Sequence, residues 1–251
     1  VAHKVYHAMG IRDLQATDNK DGAARSNAFR ETARPRLDAA AEALRASDAA
    51  RVSLAALNEL RTLEGTLDGA ARFSRTEAVA KAALDARPDD AELMSFRADI
   101  MASRDDHDAS IAQLEQMVQL PPRPVSLEGM RLASQRIDAR HAQAQLLVRK
   151  WAAAKEQKEK DELAARVTAL RATLADLEAA DSPRMLLIDA NLAFMQGNDR
   201  RAGQLVEQYN SKTRARNPDA LLLAAQIAFR QNQLGAAKEN LTKLLAIQPA
   251  D

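Results

Sequence analysis

Residues 186–202 read LLIDANLAFMQGNDRRA, and residues 221–237 read LLLAAQIAFRQNQLGAA. At an offset of 35, Leu186/Leu221, Leu187/Leu222, Ala190/Ala225, Ala193/Ala228, Phe194/Phe229, Gln196/Gln231 and Ala202/Ala237 coincide. Self-similarity with a period between 20 and 50 residues is the signature of a solenoid, in which one supersecondary unit is stacked on its neighbour. Such a chain offers a surface more often than it runs a reaction.

Composition agrees with helix. Apolar residues make up 46 % of the 251, but aromatics only 3 %, so a core must be built from Ala, Leu, Val, Ile and Met. These residues, with Arg, Gln, Glu and Lys, favour helix, and only eight Gly and eight Pro interrupt them. The expectation is an all-α chain. Formal charge is +1, from 36 basic and 35 acidic side chains, which points to no clamp on nucleic acid or on an acidic membrane. There is no cysteine, hence no disulfide framework and no thiolate metal site. A Cys-free chain fits a bacterial periplasm and a bacterial cytoplasm equally. No run of 18 apolar residues is present, so no direct membrane insertion is expected. The first residue is Val1 and no targeting segment follows, so a processed or excised segment of a larger protein is expected.

The prolines punctuate the chain. Pro88 and Pro122 are 34 apart, Pro183 and Pro218 are 35 apart, and Pro249 stands two residues from the end. Proline is tolerated in the first turn of a helix and excluded from its interior, so these positions mark junctions. In 218–251 the reading is a helix over about 219–231, a turn over 232–235 and a second helix over about 236–247. Leu222, Ala225 and Phe229 recur at helical spacing on the first, and Ala237, Leu241, Leu244 and Leu245 on the second.

This unit resembles a tetratricopeptide repeat (TPR), a 34-residue helix–turn–helix. The small residues Ala225 and Ala237, the large Leu241 and the closing Pro249 stand where the family places such residues. Leu221 and Ala225 replace its usual aromatic and glycine. The unit 183–217 matches through Leu186, Ala190, Gly197, Ala202 and Val206, and departs at SKTRARN. The unit 91–124 fits through Ala98, Asp105–Asp106, Ile111, Leu114, Met117 and Pro122, with Ser110 in place of the usual Ala. Looser hairpins are read over 3–87, with Tyr6, Met9 and Gly10 in a first helix and Ala83–Leu84 before Pro88. The resemblance implies a single TPR-like solenoid over 1–251, a right-handed α-α superhelix of about six helical hairpins.

Residues 125–180 break the rhythm. Leu163, Val167, Leu170, Leu174 and Leu177 alternate by four and three, a heptad stripe. Upstream, Met130, Ile137, Ala144 and Trp151 recur every seven, supported by Leu147. Between the stripes KEQKEKDE at 155–162 is too charged to bury. The expectation is a hairpin with long, coiled-coil-like arms over about 126–156 and 161–180, each roughly 30–45 Å long. Its tip is either a contact point or merely the end of an elongated repeat.

Chemistry is scarce. His3 and His7 share a helix face, but a zinc site needs three or four ligands and no partner pattern exists. His107 sits in RDDHD, which lacks the length and spacing of a calcium loop. No phosphate cradle or nucleophile elbow is present. Asp89–Asp90 read as helix caps rather than as an acid–base pair. Asn240-Leu241-Thr242 matches a glycosylation acceptor but lies within a predicted helix. No enzyme, metal or cofactor is expected.

The expected function is a non-catalytic scaffold for a protein or peptide partner. The family's groove positions carry over to Arg184, Leu187, Asn191, Phe194 and Met195 in one unit, and to Asp219, Leu222, Gln226, Phe229 and Arg230 in the next. For Phe194 and Phe229 the alternative is plain packing between helices. The set is apolar and amide, and Leu187 and Met195 stand where clamps for acidic tails are cationic or polar. The other reading is a structural spacer in a larger envelope or export protein. Leu241, Leu244, Leu245 and Ile247 leave the last helix apolar, which predicts a further repeat or self-association there.

Overall fold

The computed structural model describes residues 35, 37–46, 49–67, 73–124, 126–213 and 217–247. His3, His7 and the hairpin expected before residue 35 lie outside them. The described residues are helical throughout, with no strand. Helix α1 covers residues 37–46, and a 3₁₀ turn follows at Ala49–Arg51. Then come α2 (Leu54–Leu67), α3 (Ser74–Ala86), α4 (Ala91–Ser103), α5 (His107–Gln119), α6 (Leu127–Ala153), α7 (Gln157–Ala175), α8 (Pro183–Met195), α9 (Asp199–Thr213), α10 (Pro218–Arg230) and α11 (Leu234–Ile247). None is long and apolar enough to cross a membrane. The chain forms two compact units, 1–139 and 140–251, with the division inside α6.

In the first unit α2 packs on α3, α3 on α4, and α4 most closely on α5. Its core is the one the composition calls for: Leu57, Leu60, Val79, Ala80, Ala83, Leu93, Ile100 and Met117 are all but sealed from water. Asp90 caps α4, its Oδ1 accepting from the Glu92 and Leu93 amides at 3.1 Å each. Asp89 contributes only its carbonyl, to Arg123 at 3.3 Å, so the expected pair of caps reduces to one. Ser110, the departure from the repeat pattern, donates its buried hydroxyl to the Ala98 carbonyl at 2.8 Å. The polar atom thus ties α5 to α4 where a methyl group would only fill space.

One helix start in this unit is built from a distance. Phe73, at the N-cap of α3, has φ 61° and offers no side-chain acceptor. The orphan amides there are met by Glu64 on α2, which is fully buried. Its carboxylate accepts from the Arg75 and Thr76 amides at 2.9 Å each and from the Thr76 hydroxyl at 2.7 Å.

In the second unit α8 packs on α9 and α10 on α11, with α9 laid against α10 and α7 against α8. Both repeats open the same way. Ser182 caps α8 ahead of Pro183, accepting from the Met185 amide at 3.3 Å. Asn217 caps α10 ahead of Pro218, accepting from Asp219 and Ala220 at 2.8 and 3.2 Å. The cluster between the pairs holds Leu186, Ala190, Ala193, Phe194, Ala202, Val206, Leu223 and Ile227 among others. Small Ala190 and Ala202, both sealed from water, let the helices approach. Arg171 of α7 grips Asp189 of α8 with two hydrogen bonds of 2.7 and 3.0 Å, and the first of these raises the Arg171 pKa.

The turns repeat in atomic detail across units. After α4, α8 and α10 the chain passes through left-handed backbone at Asp105 (φ 61°), Gly197 (φ 76°) and Asn232 (φ 58°). Each turn carries the same two bonds. Gly197 N donates to Phe194 O at 3.0 Å and Asn198 N to Ala193 O at 2.8 Å; Asn232 and Gln233 do the same to Phe229 and Ala228, and Asp105 and Asp106 to Ala102 and Met101. This is the Schellman stop, and Gly, Asn and Asp are the residues that tolerate its left-handed position. Gly197→Ala should cost about 1 kcal/mol in a urea melt, through backbone strain alone. The nearest outside atom to an added Cβ would be Arg230 Nη2 at 3.8 Å, so no clash contributes.

Two local readings are corrected. The last helix starts at Leu234 rather than at 236, because the stop closes at Asn232–Gln233 and leaves Leu234 and Gly235 in helical backbone. The second arm runs over Gln157–Ala175 rather than 161–180, and the first stops at Ala153 rather than 156, so most of the charges of 155–162 stand on the first turns of α7. The arms have 27 and 19 residues, about 40 and 29 Å. Of the two stripes, Leu163, Val167, Leu174 and Ala144 are buried, whereas Leu177, past the end of α7, is 49 % exposed and Met130 58 %.

Candidate binding groove

The C-terminal end of α6 and the helices α8, α10 and α11 enclose a groove in the second unit. Its larger hollow, about 340 Å³, is lined by Trp151, Ala152, Phe194, Leu222, Ala225, Gln226, Phe229, Arg230, Ala237 and Leu241. A smaller one of about 80 Å³ adjoins it through Ala152, Leu222 and Gln226, and adds Gln145, Val148, Arg149, Leu187, Asn191, Asp219 and Leu223. The floor is small: the buried Ala225 and Ala237 leave the room that larger side chains would fill, and Ala152 is exposed at the side. Exposed apolar groups gather there, with Phe229 at 67 %, Leu222 at 42 % and Leu241 at 42 %.

The walls are held by aromatic and charged contacts. Trp151 meets Phe194 edge-on, with ring centroids 5.9 Å apart. The Arg230 guanidinium lies 4.3 Å above the Phe194 ring. It also donates to the Phe194 carbonyl at 3.1 Å and pairs with Asp199 at 3.2 Å. Lys160, on the first turn of α7, sits 5.2 Å over the Trp151 ring. Arg149 pairs with Asp219 at 3.2 Å.

The structure brings eight of the ten residues singled out by sequence to this groove. Leu187, Asn191, Asp219, Leu222 and Gln226 line the smaller hollow; Phe194, Leu222, Gln226, Phe229 and Arg230 line the larger. Arg184 and Met195 lie on neither. Arg184 stands within ion-pair distance of Glu178, 3.6 Å away. The twin phenylalanines part company: Phe194 is a member of the buried cluster, while Phe229 stands in water. Asn191 spends its amide on the Leu187 carbonyl at 2.8 Å, whereas the side chains of Gln145 and Gln226 form no bond among the described residues. Sequence reasoning missed the wall from α6. Trp151 is the chain's sole tryptophan and closes the seven-residue stripe of α6, the one signal that could have found it.

Two other places gather polar side chains. A hollow of about 470 Å³ in the first unit is lined by Arg87, Asp90, Glu92, Arg123, Glu128 and Arg131 among others. Its charges meet each other: Arg87 pairs with Asp90 at 3.1 Å, Arg123 with Glu128 at 3.5 Å, and Arg131 with Glu92. In the second unit, His141, Glu178 and Ser182 are linked, His141 Nε2 lying 3.0 Å from Glu178 and the Ser182 hydroxyl donating to Glu178 at 3.1 Å. The carboxylate sits between serine and histidine, so the histidine cannot take the serine proton, and the arrangement is not that of an activated nucleophile. Among the described residues no group of three or more His, Asp or Glu is placed to hold a metal ion.

The fold is an all-α array of helical hairpins whose caps and stops recur from one hairpin to the next. No protein-family model matches the chain, and no curated protein matches it. Among solved structures it is similar to PilW, described as a widely conserved type IV pilus biogenesis factor, with a TM-score of 0.49 and 15 % identity over 99 % of this chain and 94 % of that one. It is likewise similar to PilF of Pseudomonas aeruginosa, with a TM-score of 0.48 and 15 % identity over 100 % of this chain and 93 % of that one. Likeness at this level carries nothing about function.

Proposed function

We propose that the protein is an interaction scaffold and that the groove between α6, α8, α10 and α11 receives a segment of a partner protein. The observation that carries this reading is the solvent-exposed Phe229, set beside Leu222 and Leu241 over an alanine floor. Apolar groups gathered in a hollow, with a few polar groups at its edge, are what a recognition site presents. Trp151 supplies the measurement, because a ligand in the groove touches the only indole in the chain. A panel of sixteen-residue amphipathic peptides, titrated into the full chain, should contain members that shift Trp151 emission saturably. A panel with no such member would remove the groove as a binding site.

A second reading, a structural spacer, draws on α11. Its one fully buried residue is Ala237, while Leu234, Leu245 and Ile247 are 60, 56 and 41 % exposed. Such a face supports stacking of another helical element or of a second copy. Sedimentation across a hundredfold range of concentration should reveal association that Leu245→Lys abolishes; a monomer throughout would count against contact between copies.

A further inference from the structure

We infer that the groove selects an uncharged helical segment bearing one bulky apolar side chain, and discriminates against acidic segments. This rests on the groove being the binding site, as proposed above.

The charge arrangement decides the sign. The lining holds two guanidinium groups, and each already faces its own carboxylate: Arg149 with Asp219 and Arg230 with Asp199, both at 3.2 Å. Arg230 is further committed to the Phe194 ring and carbonyl. An acidic ligand would therefore meet Asp219 beside Arg149 in the smaller hollow, and could recruit either guanidinium only by drawing it out of an existing pair. A like charge brought into a partly desolvated hollow is a penalty, and it is a means of excluding wrong partners. A neutral segment breaks nothing. Lys160, the remaining cation nearby, is held over the Trp151 ring.

The polar inventory decides the conformation. An extended segment leaves its backbone donors and acceptors to be met by the groove. The free groups on offer are the amides of Gln145 and Gln226. A helix satisfies its own backbone and presents only side chains. The floor of Ala225 and Ala237 admits its close approach. The larger hollow, about 340 Å³, leaves room for an aromatic side chain. Phe229, Leu222 and Leu241 would receive it.

The test uses two sixteen-residue helical peptides with blocked ends. Both consist of Ala, Gln and Leu around a central Phe; in the second, three Gln flanking Phe on its own face are replaced by Glu. Each is titrated into the full chain and into Asp199→Asn, with Trp151 emission as the readout and circular dichroism as the check on folding. Asn keeps the shape of Asp at the start of α9 while releasing Arg230. The neutral peptide should bind the wild type at least tenfold more tightly than the acidic one, and Asp199→Asn should close most of that gap. If the acidic peptide binds the wild type as tightly or more tightly, or if Asp199→Asn leaves the gap untouched, the selectivity inference falls while the groove stands. If neither peptide moves Trp151 emission, the groove reading falls and this inference with it.

Discussion

Glu64→Ala should cost about 3–5 kcal/mol of stability, among the largest effects of any single change in the first unit. The wild-type carboxylate is fully buried and accepts from the Arg75 amide, the Thr76 amide and the Thr76 hydroxyl. Removing it leaves buried donors with no acceptor, each costing about 1–3 kcal/mol, and opens a hole between α2 and α3. Phe73 cannot compensate, since the N-cap of α3 has no side-chain bond of its own. Glu64→Gln, which keeps one acceptor oxygen, should lose only about half as much. Urea denaturation of the three proteins measures both. A loss below about 1 kcal/mol for Glu64→Ala would show that water or a neighbouring group replaces the carboxylate freely.

The second large effect concerns binding alone. The double variant Leu222→Glu/Phe229→Glu should weaken a groove-binding peptide about a hundredfold or more. It removes two exposed apolar contacts and puts carboxylates over the alanine floor. Truncating a central anchor typically costs about 2 kcal/mol or more, and an unpaired charge facing an apolar side chain adds to that. Both side chains are largely in water already, at 42 and 67 %, so folding should change by no more than about 0.5 kcal/mol per site. Peptide titration by Trp151 emission, with a urea melt alongside, separates the two effects. Affinity within threefold of wild type would place the binding surface elsewhere.

The repeat boundaries were legible because their physics is local. A cap residue before proline, as in Ser182-Pro183 and Asn217-Pro218, specifies a helix start within a few residues. A left-handed stop at Gly197 or Asn232 specifies the end. Most of the shared letters of the two repeats are buried between the helices, but Leu222 and Phe229 stand exposed. The unshared letters are less simple than a search for specificity supposes. Asp189, opposite Ala224 in the twin, anchors Arg171 of α7. Arg230, opposite Met195, pairs with Asp199 and covers Phe194. Both hold neighbouring helices together, which leaves Gln226 as the unshared letter with a free polar group facing the groove.

By itself, the sequence determined the helical class, the repeat period, the proline-marked junctions and the small residues at which helices meet. These depend on backbone preferences and on apolar spacing within a single helix or turn. The tertiary structure alone decided that Glu64 serves amides on another helix, as far along the chain as Thr76, and that Trp151 on α6 walls a groove completed by residues of α8, α10 and α11. It also decided that Phe194 is core while its twin Phe229 stands in water. The physical reason is the same in each case. A carboxylate, an indole or a phenyl ring acquires its role from the groups that surround it, and those groups are assembled by packing between elements, which no local pattern records.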